Sequence, residues 1–255
     1  MKENIMTEIK NTKEALTCIR YLQNRPKSEM VGLGLFYGDP GISKTRFALK
    51  FATVYDYMYV RLVSTMTTKG FLLEIHRALR HKYSLAEDEP RGSTYKIYCI
   101  VRDLLAEHPD AVVFIDEIDY AFRDHKLLGA IRDLADQTSA ILIMVGMQNA
   151  KHELLKSNPH FFDRTNYFVR FEQISEKEVQ HVCAQISDIE IDNELAHQVF
   201  KMTGGTIRKV VKAMYAIETI AARKETNRLE YKDVPEGLLE MGSASSSIRR
   251  DKAAK

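Results

Sequence analysis

Cysteine is scarce in this chain, and long hydrophobic runs are missing. The 255 residues contain three widely separated cysteines, Cys18, Cys99 and Cys183. This spacing fits neither a disulfide framework nor a metal site, and it indicates a reducing compartment. No stretch approaches the roughly 18 apolar residues of a membrane helix, and residues 1–13 lack the apolar core of a signal peptide. We therefore expect a cytoplasmic protein without a membrane partner.

An excess of charge of one sign is also lacking. Lys and Arg number 37 against 35 Asp and Glu, which leaves a net charge of +2. This small positive net charge permits a nucleic-acid partner but does not require one. The chain is 45% hydrophobic and 28% charged, which is ordinary for a globular protein of one large or two small domains. No internal repeat is evident.

The most informative segment is residues 38–45, which read Gly-Asp-Pro-Gly-Ile-Ser-Lys-Thr. The apolar run before it predicts a strand, and the run after it predicts a helix. A glycine-rich loop in that context, ending in Lys-Thr, is typical of a phosphate-binding loop. Lys44 is expected to reach the phosphates, and the Thr45 hydroxyl to bind Mg²⁺. The predicted nucleotide ligands in this loop are Gly38, Asp39, Pro40, Gly41, Ile42, Ser43, Lys44 and Thr45.

One loop position departs from the usual pattern. The residue before the lysine is normally glycine, but here it is Ser43. That position commonly needs a positive φ, which costs a non-glycine residue roughly 1–2 kcal/mol. The departure predicts a strained loop that phosphate contacts could hold, and it is compatible with slow hydrolysis.

A second motif ends another apolar run. Residues 111–119 read Ala-Val-Val-Phe-Ile-Asp-Glu-Ile-Asp, as expected of a strand buried on both faces. The ends of such strands point into the crevice where ligands bind in α/β sheets. Asp116 is expected to hold Mg²⁺, and Glu117 to polarise the water that attacks the γ-phosphate. Two phosphate motifs in this order predict an ATPase that uses ATP and Mg²⁺.

Alternating patterns predict an α/β fold with a mostly parallel five-stranded sheet. The pattern changes after the fifth strand, where Ser175 and Glu178 form a capping box and only helical runs follow. The predicted strands are 31–37, 57–63, 111–115, 140–146 and 166–171, and the predicted helices are 44–55, 69–82, 93–107, 126–137, 192–202 and 205–224. The predicted divisions are a flexible N-terminus (1–11), an ATPase domain (12–173), a small helical domain (174–240) and a flexible basic tail (241–255).

A phosphate-loop domain followed by a small helical lid resembles the AAA+ ATPases. The resemblance places strand 140–146 between the two phosphate strands, with a polar sensor residue at its end, where Gln148 and Asn149 are the candidates. It also implies that Phe161-Phe-Asp-Arg164 ends in an arginine finger, which acts on a neighbouring subunit's γ-phosphate. Arg170 is the rival candidate. In Thr203-Gly-Gly-Thr-Ile-Arg208, the resemblance implies that Arg208 faces the phosphates.

Within the AAA+ proteins, residues 12–235 look like the transposition regulators MuB, TnsC, TniB and the IstB-like group. The cues are the short lid, Ile-Met-Val-Gly-Met at 143–147 and Phe-Phe-Asp-Arg at 161–164. The resemblance implies ATP-driven assembly as a helical filament or ring on double-stranded DNA, recruitment of a transposase, and slow hydrolysis that DNA or the transposase stimulates. Helicase loaders and replication initiators are the nearest alternatives.

The family resemblance places DNA contacts in the segment after the second strand, at Thr67, Thr68 and Lys69. Hydroxyl groups and a lysine suit contacts to phosphate that are indifferent to base sequence. The neighbouring Gly70-Phe71 faintly resembles the aromatic pore loop of peptide-threading motors, which keeps that class open. A nucleotide switch in signalling is a further alternative, and the departure from the loop pattern at Ser43 is the feature that favours it.

Overall fold

The computed structural model describes residues 2, 8–86 and 88–234; the predicted tail 241–255 therefore lies outside the described residues. A five-stranded parallel sheet has the order β2-β3-β4-β1-β5. Its strands are β1 (Gly32–Gly38), β2 (Met58–Arg61), β3 (Val112–Asp116), β4 (Ile141–Met147) and β5 (Tyr167–Phe171). The predicted sheet is confirmed, and β4 lies between β3 and β1 as expected.

Helices connect these strands, as parallel pairing requires. The helices of this part are α1 (Lys10–Gln23), α2 (Lys44–Val54), α3 (Thr68–Tyr83), α4 (Thr94–Glu107), α5 (His125–Gln137), α6 (Ala150–Ser157) and α7 (Pro159–Arg164), with a 3₁₀ helix at Ile118–Arg123. Side-chain caps explain several starts: Thr67 caps α3, Ser93 caps α4 and Asp124 caps α5. Two helices, α3 and α4, lie between β2 and β3 and contact each other.

The two faces of the sheet bury different cores. On the first face, the ring of Phe36 contacts Phe114 of β3, Phe47 of α2 and Phe171 of β5 at centroid distances of 5.7–6.3 Å. On the second face, aliphatic residues of the strands pack with buried residues of α3 to α7. Because side chains alternate along a strand, β3 serves both cores, and all five of its residues are buried.

Contacts divide the described residues into two compact units, one with residues 11–40, 44–86 and 88–171 and the other with residues 2, 8–10, 41–43 and 172–234. The second unit contains α8 (Glu176–Ile186), α9 (Asn193–Thr203) and α10 (Ile207–Arg223). Its own core includes Val182, Leu195, Val210 and Met214. The predicted capping box at the start of α8 is confirmed.

Two features of the second unit differ from the prediction. The strands β6 (Glu190–Ile191) and β7 (Arg228–Leu229) form a short parallel pair that the helical interpretation missed. The segment predicted to be flexible up to residue 11 is helical from Lys10, whose backbone N–H donates to Glu178 at 2.6 Å. This charge-assisted bond and the burial of Ile9 fix the start of α1. None of the described helices is long and apolar enough to span a bilayer.

Candidate nucleotide-binding site

The phosphate-loop lysine is buried at the carboxyl end of β1. Lys44 is 7% exposed, and its ammonium donates to the carbonyls of Gly38 and Asp39 at 2.8 Å each. Burial lowers the pKa of Lys44, and the carboxylates of Asp119, Asp116, Asp39 and Glu117 oppose that shift without cancelling it. A desolvated cation held only by neutral carbonyls can exchange those contacts for phosphate oxygens.

The serine that replaces glycine has the strained backbone that the sequence predicted. Ser43 has a φ of +71°, and Gly41 has a φ of +87°. Both conformations turn the loop towards the start of α2, where Lys44 and Thr45 follow. Successive loop N–H groups at a helix N-terminus favour bound anions.

The acidic motif is ordered by a tyrosine that the sequence interpretation did not include. Asp116 is 2% exposed, and its Oδ2 accepts a 2.6 Å bond from the Tyr59 hydroxyl. Its Oδ1 accepts the backbone N–H of Glu117 at 2.9 Å. Burial, followed by the bond to Asp116, raises the pKa of Tyr59, so that its hydroxyl stays a donor. These two bonds fix the orientation of the Asp116 carboxylate.

Glu117 is held beside the neighbouring strand. It has a φ of +56°, and its Oε1 pairs with Nη2 of Arg61 at 3.1 Å. Arg61 is the residue of β2 aligned with Asp116 in the parallel register. The pair holds the Glu117 carboxylate beside the end of β2.

The sensor candidates follow β4 directly. Gln148 and Asn149 are exposed, and Asn149 makes no side-chain cap for α6. The preceding residue, Met147, donates its backbone N–H to Asp119 Oδ2 at 2.9 Å. Burial raises the pKa of Asp119, and this N–H opposes the rise. Asp119 therefore ties the 3₁₀ helix after the acidic motif to the turn that carries both sensor candidates.

The arginine-finger candidate ends α7 and is paired within its own subunit. Nε of Arg164 donates to Asp136 Oδ1 of α5 at 2.8 Å, and the Arg164 side chain is 45% exposed. Its rival, Arg170, is an exposed residue of β5 aligned with Tyr37. Arg164 thus lies at a helix end and Arg170 within the sheet, and the assignment of the finger to Arg164 stays a prediction.

Arg208 is exposed in the first turn of α10. Its backbone N–H donates to the Gly41 carbonyl at 3.0 Å, and both residues belong to the second unit. A Cβ added to Gly41 would lie 3.5 Å from the Arg208 Cβ. The role of the Arg208 guanidinium remains a prediction.

The predicted DNA residues lie at the start of α3. Thr67 and Lys69 are exposed, and Thr68 is half-buried. The Thr67 oxygen accepts the N–H of Gly70 at 3.1 Å, which leaves the hydroxyl proton to donate outward. Lys69 donates to the Gly92 carbonyl at 3.0 Å, next to the start of α4. Phe71 is fully buried in the core, so the aromatic pore-loop interpretation is wrong.

The chemistry of this site fits a magnesium-bound nucleoside triphosphate. Among residues 8–86 and 88–234, no cluster of three or more His, Cys, Asp or Glu side chains could hold a metal by itself. Mg²⁺ commonly binds one or two protein oxygens together with phosphate oxygens and water. The Thr45 hydroxyl and the oriented Asp116 carboxylate suit that arrangement, with Lys44 as the phosphate partner.

Tyr59, Arg61, Asp119 and Asp136 are the site residues that sequence reasoning missed. A signal existed for the first two, because the end of a parallel strand next to β3 must adjoin the acidic motif. Asp119 was visible as the last residue of the acidic motif. No pattern in the sequence pointed to Asp136.

The sheet order and the glycine-rich loop after β1 are those of the AAA+ P-loop fold. Residues 29–154 match the family model described as "AAA domain". No curated protein sequence matches the chain.

Three solved structures show the similarity of fold. The Aeropyrum pernix ORC2 protein in ADPNP–ADP complexes is 15% identical with a TM-score of 0.70, covering 100% of this chain and 73% of that one. The Aeropyrum pernix ORC1 protein in complex with DNA is 15% identical with a TM-score of 0.60, covering 98% and 67%. The Thermotoga maritima RuvB Holliday junction branch migration motor is 17% identical with a TM-score of 0.57, covering 92% and 68%.

Proposed function

We propose that this chain is an ATP-hydrolysing, DNA-binding AAA+ protein that acts as a replication initiator or helicase loader. The observation that carries the ATPase proposal is buried Lys44, whose ammonium donates to the loop carbonyls of Gly38 and Asp39. The similar folds of two ORC proteins, one of them in complex with DNA, support the initiator interpretation. A regulator of transposition is the second candidate, supported by the Phe161–Arg164 motif.

Each residue of the site has a separable role in the proposed reaction. Lys44 binds phosphate oxygens, while Thr45 and Asp116 hold Mg²⁺, with Tyr59 fixing the Asp116 carboxylate. Glu117 orients the attacking water after it leaves Arg61. Mg–ATP supplies the bond that is cleaved and the neutralising charge of the metal.

Two substitutions test this assignment. Lys44→Ala should abolish ATP binding, measured by fluorescence titration with a labelled nucleotide. Glu117→Gln should bind ATP and hydrolyse it slowly. Wild-type nucleotide affinity in the Lys44 variant would refute the loop assignment, and wild-type hydrolysis in the Glu117 variant would remove that residue from catalysis.

The proposed DNA surface consists of the N-terminal turns of α3 and α4. The bond from Lys69 to Gly92 places the two helix starts side by side. Both N-termini carry partial positive charge, and Thr67, Lys69, Tyr95 and Lys96 are exposed there, with Tyr95 at 74%. Among the described residues, Lys69 has no ion pair, so that its charge is available to a phosphate.

Lys69→Ala should weaken binding to unrelated duplexes about equally and reduce the salt slope by about one unit. Lys177→Ala, an exposed lysine of α8, is the control. Fluorescence anisotropy across a salt series provides the measurement. Unchanged DNA binding by the Lys69 variant would place the contact surface elsewhere.

Self-association is part of the proposal, because Arg164 would act on a neighbour's nucleotide. Arg164→Ala subunits mixed with Lys44→Ala subunits should regain some hydrolysis, since one mixed interface has an intact loop and an intact finger. Electron microscopy with duplex DNA and ATP separates the two candidate functions. Continuous filaments would favour the transposition regulator, and short discrete assemblies would favour the initiator or loader.

A further inference from the structure

The guanidinium of Arg164 is held by a carboxylate from another helix. Arg164 ends α7, Asp136 lies in the last turn of α5, and the Nε–Oδ1 distance is 2.8 Å. The Asp136 side chain is only 26% exposed, against 45% for Arg164. Nη1 makes a longer bond of 3.4 Å to the carbonyl of His160, one turn earlier in α7. Both acceptors, Asp136 Oδ1 and the His160 carbonyl, belong to the same subunit as Arg164.

The edge that Asp136 occupies matters for what Arg164 can still bind. A guanidinium presents five N–H donors in a rigid plane, and two parallel bonds to phosphate use one edge of that plane. A carboxylate on Nε fixes the plane and leaves Nη2 and the second proton of Nη1 for another anion. Asp136 therefore orients the side chain without using all of its donors.

Arg132, the neighbouring arginine of α5, is hydrogen-bonded to a different carboxylate, and the charge of Asp136 also acts on it. Arg132 donates both Nε and Nη2 to Asp133 Oδ1 at 3.0 and 2.7 Å. Burial, followed by the charge of Asp133, raises the pKa of Tyr98 to about 12, and Asp136 adds to the rise. Tyr98 therefore stays neutral beside these carboxylates. The Arg132–Asp133 pair lies within α5, whereas the Arg164–Asp136 pair joins α7 to α5.

We propose that Asp136 is a positioning residue that presents Arg164 to the nucleotide of an adjacent subunit. This inference rests on the proposed function of Arg164 across the subunit interface. An arginine side chain has many rotamers, and holding it in one geometry reduces the entropy lost when it meets the transition state. Removing Asp136 leaves the finger chemically intact but unfixed, so hydrolysis should slow without loss of nucleotide binding.

The test compares Asp136→Ala with Asp136→Glu and with the control Asp103→Ala, which removes an exposed aspartate of α4 that pairs with Arg102. Steady-state hydrolysis with duplex DNA should show kcat reduced roughly tenfold for Asp136→Ala, part of the 10³–10⁵ that a finger contributes, with KM for ATP nearly unchanged. Asp136→Glu should recover part of the loss, and Asp103→Ala should match wild type. Mixing Asp136→Ala with Lys44→Ala subunits should raise activity above that of either variant alone.

The outcomes separate this inference from the function on which it rests. If Arg164→Ala hydrolyses ATP at the wild-type rate, the shared site fails and the role of Asp136 fails with it. If Arg164→Ala is slow while Asp136→Ala is normal or faster, the positioning role alone is overturned. A slow Asp136→Ala that mixing with Lys44→Ala does not rescue would indicate a structural role instead, which also overturns the inference.

Discussion

At the scale of single residues, Ser43 shows how a departure from a motif relates to backbone strain. The sequence predicted a positive φ where serine replaces glycine, and the observed φ is +71°. A left-handed conformation costs an ordinary L-residue roughly 1–2 kcal/mol. The strain lies within the phosphate loop, so relieving it should affect nucleotide binding as well as folding.

Replacing Ser43 with glycine should retain or raise nucleotide affinity, because glycine adopts a positive φ without a Cβ clash. Titration of ATP binding and thermal unfolding without nucleotide measure the two effects. Ser84→Gly is a suitable control, since Ser84 also has a positive φ of +52° but ends α3. The control should change stability alone. Clearly weaker ATP binding by Ser43→Gly would mean that the serine side chain makes a specific contact.

The site residues that the sequence predicted are those whose roles follow from position in a motif. Asp116 ends β3, and Lys44 begins α2 after the loop that follows β1. Because the two strands run parallel in one sheet, their carboxyl ends lie at the same edge of that sheet. The contacts of Tyr59 and Asp136 depend instead on strand register and on helix packing. Neither quantity is encoded in a local pattern, so those contacts could not be predicted from the sequence alone.

At the scale of elements, predictions succeeded where periodicity and caps agreed. The capping box of Ser175 and Glu178 starts α8, and the buried run of β3 ends at Asp116 as expected. The pair β6–β7 was missed because two-residue strands are too short to show an alternating pattern. The pair joins a segment before α9 to a segment after α10, so it depends on tertiary structure and not on a local pattern.

The turn between α9 and α10 contains two glycines whose replacement by alanine should lower the stability by different amounts. Gly204 has a φ of +56° and open space at its Cβ position, whereas Gly205 has a φ of +71° and a Cβ would lie 2.0 Å from the Ile174 carbonyl oxygen. Gly204→Ala should therefore cost only the strain of the left-handed conformation, about 1 kcal/mol. Gly205→Ala should cost a further ~1–3 kcal/mol, because the backbone must shift to relieve the overlap.

Urea unfolding followed by circular dichroism measures both variants against wild type. The comparison is internal, because the two residues are adjacent and both have a positive φ. Equal losses for Gly204→Ala and Gly205→Ala would contradict the close approach to Ile174.

At the scale of the whole molecule, each compact unit buries one free thiol. Cys18 lies in the first unit and Cys183 in the second, and both are fully buried. Burial raises the pKa of each thiol from 9.0 to about 12. Each buried thiol therefore stays largely protonated in the folded protein at pH values where an unfolded thiol ionises.

These buried thiols should make the protein less stable as the pH rises above 9.0, the ordinary pKa of a thiol. Above that pH the unfolded chain loses protons that the folded chain keeps, so the free energy of unfolding falls. The loss continues until the folded pKa of about 12, with a slope of up to about 1.4 kcal/mol per pH unit for each thiol. Urea unfolding between about pH 8 and 10.5 should show a shallower slope for Cys18→Ala and for Cys183→Ala than for wild type. Cys99→Ala is the control, because it removes a partly buried thiol and leaves both buried thiols in place. If all three variants keep the wild-type slope, other groups cause the alkaline loss of stability.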